Sequence, residues 1–283
     1  MRHSGREAVP QKLVWNIKEV LFVKHFISRR NFLKAAGVTA AASAMAAAVP
    51  QASAGFLTGK DAAVTILYTN DVHTYIDNKS PKLTYAAIAA MKQGYVDEGK
   101  PVLLVDAGDH IQGTAYGSMD DGATIIELMN EAGYDIATLG NHEFDYGMAR
   151  AKAIIKEADF PYVSCNWVDL RTGLRVLPAV KLFPAGGKWI AFVGITTPES
   201  FTKSTPAYFM NAKQTKYIYD ILGGDDGRKL YDAVQKAIDK AKTLGADIII
   251  GLGHLGVDPS SSPWTSEEVI APVSYTHLRA HET

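Results

Sequence analysis

Short apolar runs alternate with segments of helical periodicity from Gly55 onward. The runs predict β-strands, and the segments whose apolar residues recur at helical spacing predict amphipathic helices. The predicted strands cover residues 64–68, 102–105, 136–139, 162–165 and 247–252. The predicted helices cover residues 83–91, 123–131, 148–157 and 228–244. Such alternation is typical of α/β proteins, in which helices connect parallel strands.

The alternation breaks after residue 165. Residues 175–183 and 188–195 flank Pro184-Ala185-Gly186-Gly187, whose length and glycines predict a hairpin loop. A hairpin joined to parallel units implies mixed sheets with helices outside them. Residues 196–226 show no clear period and predict a long surface excursion. Its aromatic residues either pack this excursion onto the core or line a substrate cleft: Tyr208, Phe209, Tyr217 and Tyr219.

Composition limits the class of protein. With 283 residues and 47% hydrophobic content, the chain has enough apolar material for one sizeable core. The single cysteine, Cys165, excludes an internal disulfide framework and a cysteine-rich zinc site. Because it sits in a predicted strand, we expect it to pack as a small apolar side chain.

Charge argues against binding to a nucleic-acid polymer. Residues 1–54 hold eight of the 29 basic side chains and two of the 30 acidic ones, which leaves 21 basic and 28 acidic residues in the remainder. Binding to nucleic acid requires a surplus of basic groups that displace counterions. A site for small phosphoesters remains compatible with this charge, because bound metal ions would supply local positive charge.

The N-terminal segment, residues 1–54, is predicted to be a twin-arginine signal region. Ser28-Arg29-Arg30-Asn31-Phe32-Leu33-Lys34 resembles the twin-arginine motif and precedes an alanine-rich stretch, residues 35–49. We expect export by the twin-arginine machinery, cleavage after Ala54, and a periplasmic, extracellular or cell-surface location. A membrane anchor is the alternative, but about 15 alanine-dominated residues fall short of the roughly 20 that span a bilayer.

Four predicted strands end in polar side chains of the types that bind metal ions. They are Asp71 and His73 after the first strand, Asp109 after the second, Asn141 and His142 after the third, and His254 after the last. The carboxyl ends of the strands are where open α/β sheets usually build their sites. We therefore predict that these side chains form one metal site.

The residue types suggest which metal chemistry the site supports. Asp71 and His73 are two apart, so on a strand they would share a face and hold one ion. Asp109 could bridge two ions, with Asn141 and His254 holding the second. Oxygen and nitrogen ligands suit two divalent transition ions about 3.5–4 Å apart, which activate water and clamp the attacking and leaving oxygens. This predicts hydrolysis of phosphoesters.

Two histidines near these ligands need separate interpretations. His142 cannot easily face the same ion as its neighbour Asn141, and Asp145 lies three residues on, where it could orient the imidazole. This pair would stabilise transition-state charge or the leaving oxygen. His110 directly follows Asp109, and a solvent-exposed loop histidine is the simpler interpretation of it. A contact with substrate or metal is the alternative.

These motifs resemble those of the calcineurin-like metallophosphoesterase superfamily. The motifs, in chain order, are Asp71-Val72-His73, Gly108-Asp109, Gly140-Asn141-His142-Glu143 with Asp145, and His254. Residues 68–73, 106–114 and 140–147 look more narrowly like the exported 5′-nucleotidase family, which includes UDP-sugar hydrolases and 2′,3′-cyclic-nucleotide phosphodiesterases. The similarity extends from about Ala63 to Ile270.

The resemblance implies a fold, a set of ligands and a substrate class. It implies a four-layer α/β/β/α sandwich with mixed sheets that binds two divalent ions, and manganese, zinc, iron and cobalt all suit the ligands. Asp71, His73 and Asp109 would hold one ion; Asp109, Asn141 and His254 would hold the other. His142 and Asp145 match the catalytic dyad of the family. The expected substrate is a nucleotide or another small phosphoester.

The resemblance fails near the C-terminus. The family carries a Gly-His-x-His motif, which gives one ligand to each ion, where this chain reads Ala271 to Thr283. His277 and His281 lack the glycine, the spacing and the preceding strand of that motif. We therefore expect residues 55–270 to be an incomplete catalytic domain and residues 271–283 to be a foreign or frame-interrupted tail. A catalytically defective fragment that only binds metal and phosphate or nucleotide is the alternative function.

Overall fold

The computed structural model describes residues 63–76 and 84–273. The strands are β1 (Thr65–Thr69), β2 (Val102–Asp106), β3 (Ile136–Ala137), β4 (Trp167–Asp169), β5 (Leu174–Arg175), β6 (Val180–Ala185), β7 (Lys188–Ile195), β8 (Tyr219–Ile221) and β9 (Ile248–Gly253). The α-helices are α1 (Tyr85–Asp97), α2 (Ala115–Ser118), α3 (Ala123–Ala132), α4 (Met148–Glu157), α5 (Ser200–Lys203), α6 (Arg228–Thr243) and α7 (Ser266–Ile270).

The strands form three small sheets. The first sheet has the parallel order β1-β2-β3. The second has the order β6-β7-β9, in which β6 and β7 are antiparallel and β7 and β9 are parallel. The third, β5-β4-β8, is antiparallel. The parallel units and the mixed sheet confirm the sequence prediction, whereas the third sheet was not predicted.

The first two sheets pack against each other through alternate side chains. Leu103 and Val105 of β2 lie in the apolar layer between the sheets, together with Phe192 of β7. Leu104 faces the other way and packs among the side chains of α1, α3 and α4. Val193 likewise turns away from the central layer and packs against α6. Because side chains alternate along a strand, this order of layers is the predicted α/β/β/α sandwich.

Helix ends follow local sequence signals. The Thr84 side chain accepts a hydrogen bond from Ala87 N at 3.2 Å and so begins α1. Gly133 ends α3 in the left-handed conformation, with φ of 74°, which glycine adopts without steric cost. On α6, Leu230, Val234 and Ile238 are buried. Burial of each such side chain stabilises the packing of the helix against its sheet by about 1.5–3 kcal/mol.

The prediction of a strand at residues 162–165 is wrong, because this segment contributes only a single bridge to the first sheet. Tyr162 forms an isolated parallel bridge with Ala137. The chain then leaves the first sheet, because Ser164 N donates to Pro178 O and Cys165 N donates to Gly194 O, at 3.0 and 2.7 Å. This segment crosses between sheets instead of extending one of them. Cys165 is buried in the apolar cluster beneath α6, as predicted, and burial raises the pKa of its thiol to about 12.

The predicted hairpin and excursion also need correction. The hairpin turn is only Gly186-Gly187, with φ of 57° and 74°, because Pro184 and Ala185 belong to β6. Leu174–Arg175 form the separate strand β5. The segment at residues 196–226 contains α5 and β8, and its Phe209 is fully buried. It is therefore part of the core as well as the surface.

Two sequence predictions lie outside the described residues. They concern the signal region with its cleavage after Ala54 and the tail beyond residue 273. Within residues 63–76 and 84–273, no helix combines the length and apolarity needed to cross a bilayer.

Candidate metal centre

The loops that follow β1 and β2 lie side by side. Asp71 N donates to Gly108 O and His73 N donates to Asp109 O, both at 3.0 Å. Asp71, His73 and Asp109 have positive φ angles of 50°, 47° and 59°, which are sterically costly for residues other than glycine. The first two lie beyond the end of β1, so a shared strand face, as predicted, does not bring them together. Instead, tight turns that are hydrogen-bonded to the neighbouring loop bring the two side chains together.

Asp109 stands at the centre of the site. Its carboxylate is buried, with 3% of the residue exposed. Its Oδ1 accepts a hydrogen bond from His142 N at 2.8 Å. Its Oδ2 lies 3.2 Å from His254 Nε2 and 3.9 Å from His73 Nε2. One oxygen is thus fixed by the backbone while the other faces two imidazoles.

Both of these imidazoles are oriented by backbone carbonyl groups. His73 Nδ1 lies 3.0 Å from Gln112 O, and His254 Nδ1 lies 3.1 Å from Ala107 O. A carbonyl oxygen only accepts, so each Nδ1 is the donor. In the neutral ring this arrangement leaves the Nε2 lone pair directed into the site, which is how metal-binding histidines are usually held.

His142 and Asp145, the pair predicted to form a catalytic dyad, are in contact. His142 Nδ1 lies 2.5 Å from Asp145 Oδ2, so the carboxylate fixes the orientation of the ring. The His142 and His73 rings meet edge to face, with their centroids 5.0 Å apart. His142 therefore stands beside the ligands and presents Nε2 away from Asp145.

The side chains form two overlapping groups with potential ligand atoms within 4.8 Å of one another. The first is Asp71, Asp109 and His254; the second is His73, Asp109 and His142. The structure thus gathers the carboxylates and imidazoles predicted from the strand ends, and Asp109 is common to both groups. Asn141 is 3% exposed and adjoins the His142 amide that contacts Asp109. Its role as a ligand stays a prediction.

The electrostatics of the site favour cations. Ion pairing with Asp71 raises the pKa of His73 to about 9, although burial opposes this change. The hydrogen bond that His142 Nδ1 donates to Asp145 likewise raises the pKa of His142. Burial would raise the pKa of Asp109, but the positive potential from His254 and His142 outweighs it and holds that pKa well below its usual range. A negative potential with aligned oxygen and nitrogen donors fits divalent metal ions.

His110 is not the solvated loop residue that the sequence suggested. It is fully buried, with Nδ1 2.8 Å from Asp106 Oδ1 and Nε2 2.8 Å from the Tyr162 hydroxyl. Burial alone would lower its pKa, but the negative potential of Glu143 and Asp106 raises it to about 9. Sequence reasoning also left Glu143 without a role, although it is buried within the same motif as His142. The partners lie far apart in sequence, so no local pattern reveals this network.

The chain matches the calcineurin-like phosphoesterase family over residues 64–282, a range that contains every predicted site residue. The chain belongs to the calcineurin-like phosphoesterase family. This match and the layered sheets confirm the resemblance and the fold inferred from the sequence. Residues 27–48 of this phosphoesterase match the signal sequence of the twin-arginine translocation pathway, which confirms the export signal predicted around Arg29 and Arg30.

Relatives of this phosphoesterase match it over only part of their length. It is 34% identical to human 5′-nucleotidase over 213 residues, which cover 69% of this chain and 34% of the human protein. The crystal structure of a 5′-nucleotidase precursor from Thermus thermophilus matches with a TM-score of 0.57 and 27% identity, covering 68% of this chain and 37% of that one. The structure of the calcineurin-like phosphoesterase YfkN from Bacillus subtilis gives a TM-score of 0.56 and 27% identity over 72% and 66% of the two chains. The chain spans about a third of the length of the curated 5′-nucleotidases that it matches.

Adding one methyl group at Gly140 is expected to disturb the candidate metal site directly. A Cβ atom there would lie 2.1 Å from Asp109 Oδ1 and 2.9 Å from Asp109 N. Gly140→Ala should therefore displace the Asp109 carboxylate and weaken binding of Mn²⁺ by about 10-fold or more, the scale typical of disturbed metal environments. Titration calorimetry with Mn²⁺ measures this change.

Gly94→Ala is the matched control. A Cβ at this exposed position of α1 meets nothing within 4 Å, and alanine should stabilise the helix by about 0.5–1 kcal/mol. Its affinity for Mn²⁺ should equal that of the wild type. Equal affinities in both variants would show that Asp109 takes no part in holding the ion.

Proposed function

We propose that this chain is the metal-binding catalytic unit of an exported phosphoesterase that hydrolyses nucleotide phosphoesters. The observation that carries this proposal is the convergence of carboxylates and imidazoles from three other strand ends on Asp109. Membership of the calcineurin-like phosphoesterases supports the reaction class. The names of the relatives, several of them 5′-nucleotidases, support nucleotides as the substrate class.

Five residues would hold the ions. They are Asp71, His73, Asp109, Asn141 and His254. When bound, a pair of divalent ions would supply Lewis acidity, which activates water and neutralises charge on phosphoryl oxygens. Asp109 contributes to this arrangement because its Oδ2 faces histidines from two different loops.

His142 would act on the substrate instead of on the ions. Asp145 holds its Nδ1, so the opposite ring nitrogen can donate to an oxygen of the phosphoester. Such a donor stabilises charge that develops on the phosphoryl group or on the leaving oxygen. The hydrogen bond that His142 Nδ1 donates to Asp145 raises the pKa of His142, which favours the protonated form of this donor.

The signal sequence supports action outside the cytoplasm. We infer that the twin-arginine machinery exports the protein, that the signal is removed after Ala54, and that the enzyme works in the periplasm, at the cell surface or in the medium. Extracellular nucleotides would then be the available substrates.

Removal of metal is expected to abolish turnover of p-nitrophenyl phosphate and of a nucleoside 5′-monophosphate. Incubation with a chelator followed by desalting should lower both rates by about 100-fold or more, since Lewis-acid stabilisation is worth several kcal/mol. Adding back Mn²⁺ or Co²⁺ should restore them. Colorimetric phosphate release measures both reactions.

The same experiment tests the alternative. If the full chain binds Mn²⁺ but releases no phosphate from either substrate, it is a binding fragment and the proposed catalysis is wrong. Unchanged turnover after complete metal removal would refute the metal-dependent mechanism altogether.

A further inference from the structure

Glu143 is a buried carboxylate beside the proposed ligands that has no part in the function argued above. It is fully buried and accepts hydrogen bonds from the backbone of two loops. Its Oε2 accepts from Asp109 N at 2.8 Å and from Gly140 N at 2.6 Å. Its Oε1 accepts from His110 N at 2.8 Å and, at 3.4 Å, from Ile111 N. A single side chain thus connects the loop after β2 to the loop after β3.

We propose that Glu143 is a positioning residue, which sets the Asp109 carboxylate in the orientation that metal binding requires. This inference rests on the proposed metal site, since it concerns how that site is held. Glu143 lies behind the ligands and is shielded from solvent, so it acts through the backbone of Asp109 and not on the substrate.

The connection between the two loops is reciprocal. Glu143 reaches from its own loop to the amide of Asp109, and the Asp109 Oδ1 reaches back to the amide of His142 at 2.8 Å. Both contacts use backbone donors, which have little freedom to move. Because Oδ1 is engaged in this way, Oδ2 is left facing His254 and His73. The direction of the proposed bridging oxygen therefore depends on this pair of contacts.

The backbone of the Asp109 loop needs such support. Asp109 has a φ of 59° and follows Gly108 at 105°, and the left-handed conformation is sterically costly for aspartate. Without an acceptor, the amides of Asp109 and His110 would be buried and unpaired, which is costly as well. The carboxylate of Glu143 offsets both costs at the position where the ligand is displayed.

The backbone N–H groups around the Glu143 side chain favour a carboxylate over an amide at this position. Each oxygen of Glu143 faces two backbone N–H groups, and an ionised carboxylate is purely an acceptor. A glutamine would turn its amino group toward one pair of N–H groups and lose those hydrogen bonds. The imidazole of His110 also lies beside this carboxylate, with Nδ1 3.5 Å from Oε1. Shortening to aspartate would retain the charge but withdraw the oxygens from one of the loops.

The test is Co²⁺ binding to the full chain, followed by its visible absorption spectrum. Glu143→Gln should weaken Co²⁺ affinity by about 10- to 100-fold, the usual effect of removing a partner of a metal ligand, and should change the spectrum because Asp109 is misplaced. Turnover of p-nitrophenyl phosphate should fall by a similar factor. Glu143→Asp should show smaller changes in the same direction.

Asp135→Asn is the matched control. Asp135 is a partly buried carboxylate, with 10% of its side chain exposed, that likewise accepts from a backbone amide, Leu104 N at 2.7 Å, and pairs with Lys92 at 2.8 Å. It precedes β3, at the opposite end of that strand from Asn141. Its variant should lose thermal stability while the affinity for Co²⁺ and the spectrum stay those of the wild type.

The results for these variants decide whether Glu143 positions the Asp109 carboxylate. Wild-type affinity and spectrum in both Glu143 variants would overturn the positioning role, as would equal losses in Asp135→Asn. If Glu143→Gln does not fold, the decision rests on Glu143→Asp, and failure of both variants to fold while Asp135→Asn folds would make Glu143 a residue of the fold alone. A wild-type chain that binds no Co²⁺ would instead refute the proposed function.

Discussion

Replacing Asp109 by asparagine is expected to lower the turnover number for p-nitrophenyl phosphate by about 10³-fold or more. Asparagine retains the shape of the side chain and an oxygen that can accept from His142 N, so the fold should persist. It removes the negative charge that faces His254 and His73 and that would help to hold the proposed ions. Lewis-acid stabilisation is worth several kcal/mol, and about 1.4 kcal/mol corresponds to a tenfold change in rate.

Metal content and turnover should fall together in this variant. Elemental analysis of the purified protein gives the first quantity and initial rates give the second. Asp239→Asn is the control, because it makes the same chemical change on the exposed face of α6. An Asp109→Asn protein that retains two ions and wild-type turnover would refute the assignment of Asp109 as the shared ligand.

Replacing His142 by asparagine is expected to separate catalysis from metal binding. The turnover number should fall by about 10²- to 10⁴-fold, the usual range for loss of a general acid, while the metal content stays that of the wild type. The fixed contact between His142 and Asp145 is the basis for this expectation. Asp145→Asn should give a smaller loss, since it leaves the imidazole in place but no longer orients it.

The leaving group provides the decisive comparison for His142. If the imidazole protonates the leaving oxygen, the loss should be greater for a nucleoside monophosphate than for p-nitrophenyl phosphate, because nitrophenolate leaves without assistance. His142 also lies within 4.8 Å of potential ligand atoms of His73 and Asp109. Loss of one ion in His142→Asn would therefore show that it is a ligand, and the catalytic assignment would be wrong.

The candidate site was largely predictable because its residues lie in loops whose positions follow from the sheet. Once β1, β2 and β9 are recognised as apolar runs, Asp71, Asp109 and His254 must emerge near the strand ends. The orientation of these side chains could not be predicted from the sequence. The positive φ angles at Asp71 and His73 accompany hydrogen bonds that their amides donate to carbonyl groups of the neighbouring loop, which the spacing of two residues does not reveal.

The third sheet and the buried polar network were missed for a related reason. Strands β4 and β8 have only three residues each, so neither is long enough to show a period, and β5, β6, β7 and α5 separate them along the chain. His110 contacts the hydroxyl group of Tyr162, which lies 52 positions away in the chain. Glu143 accepts hydrogen bonds from amides more than 30 positions earlier in the chain. A polar residue that looks solvated locally is buried when distant partners satisfy it.

The hydrogen bond from His254 Nδ1 to Ala107 O joins residues 147 positions apart. Ala107 follows β2 of the first sheet, and His254 follows β9 of the second. During synthesis, the ribosome therefore completes the segment that carries Asp71 and Asp109 long before His254 leaves the exit tunnel. An ion that meets this nascent segment would find only part of the proposed set of ligands. Full loading would follow translation of β9, and for a protein that the twin-arginine machinery exports already folded, it would take place in the cytoplasm.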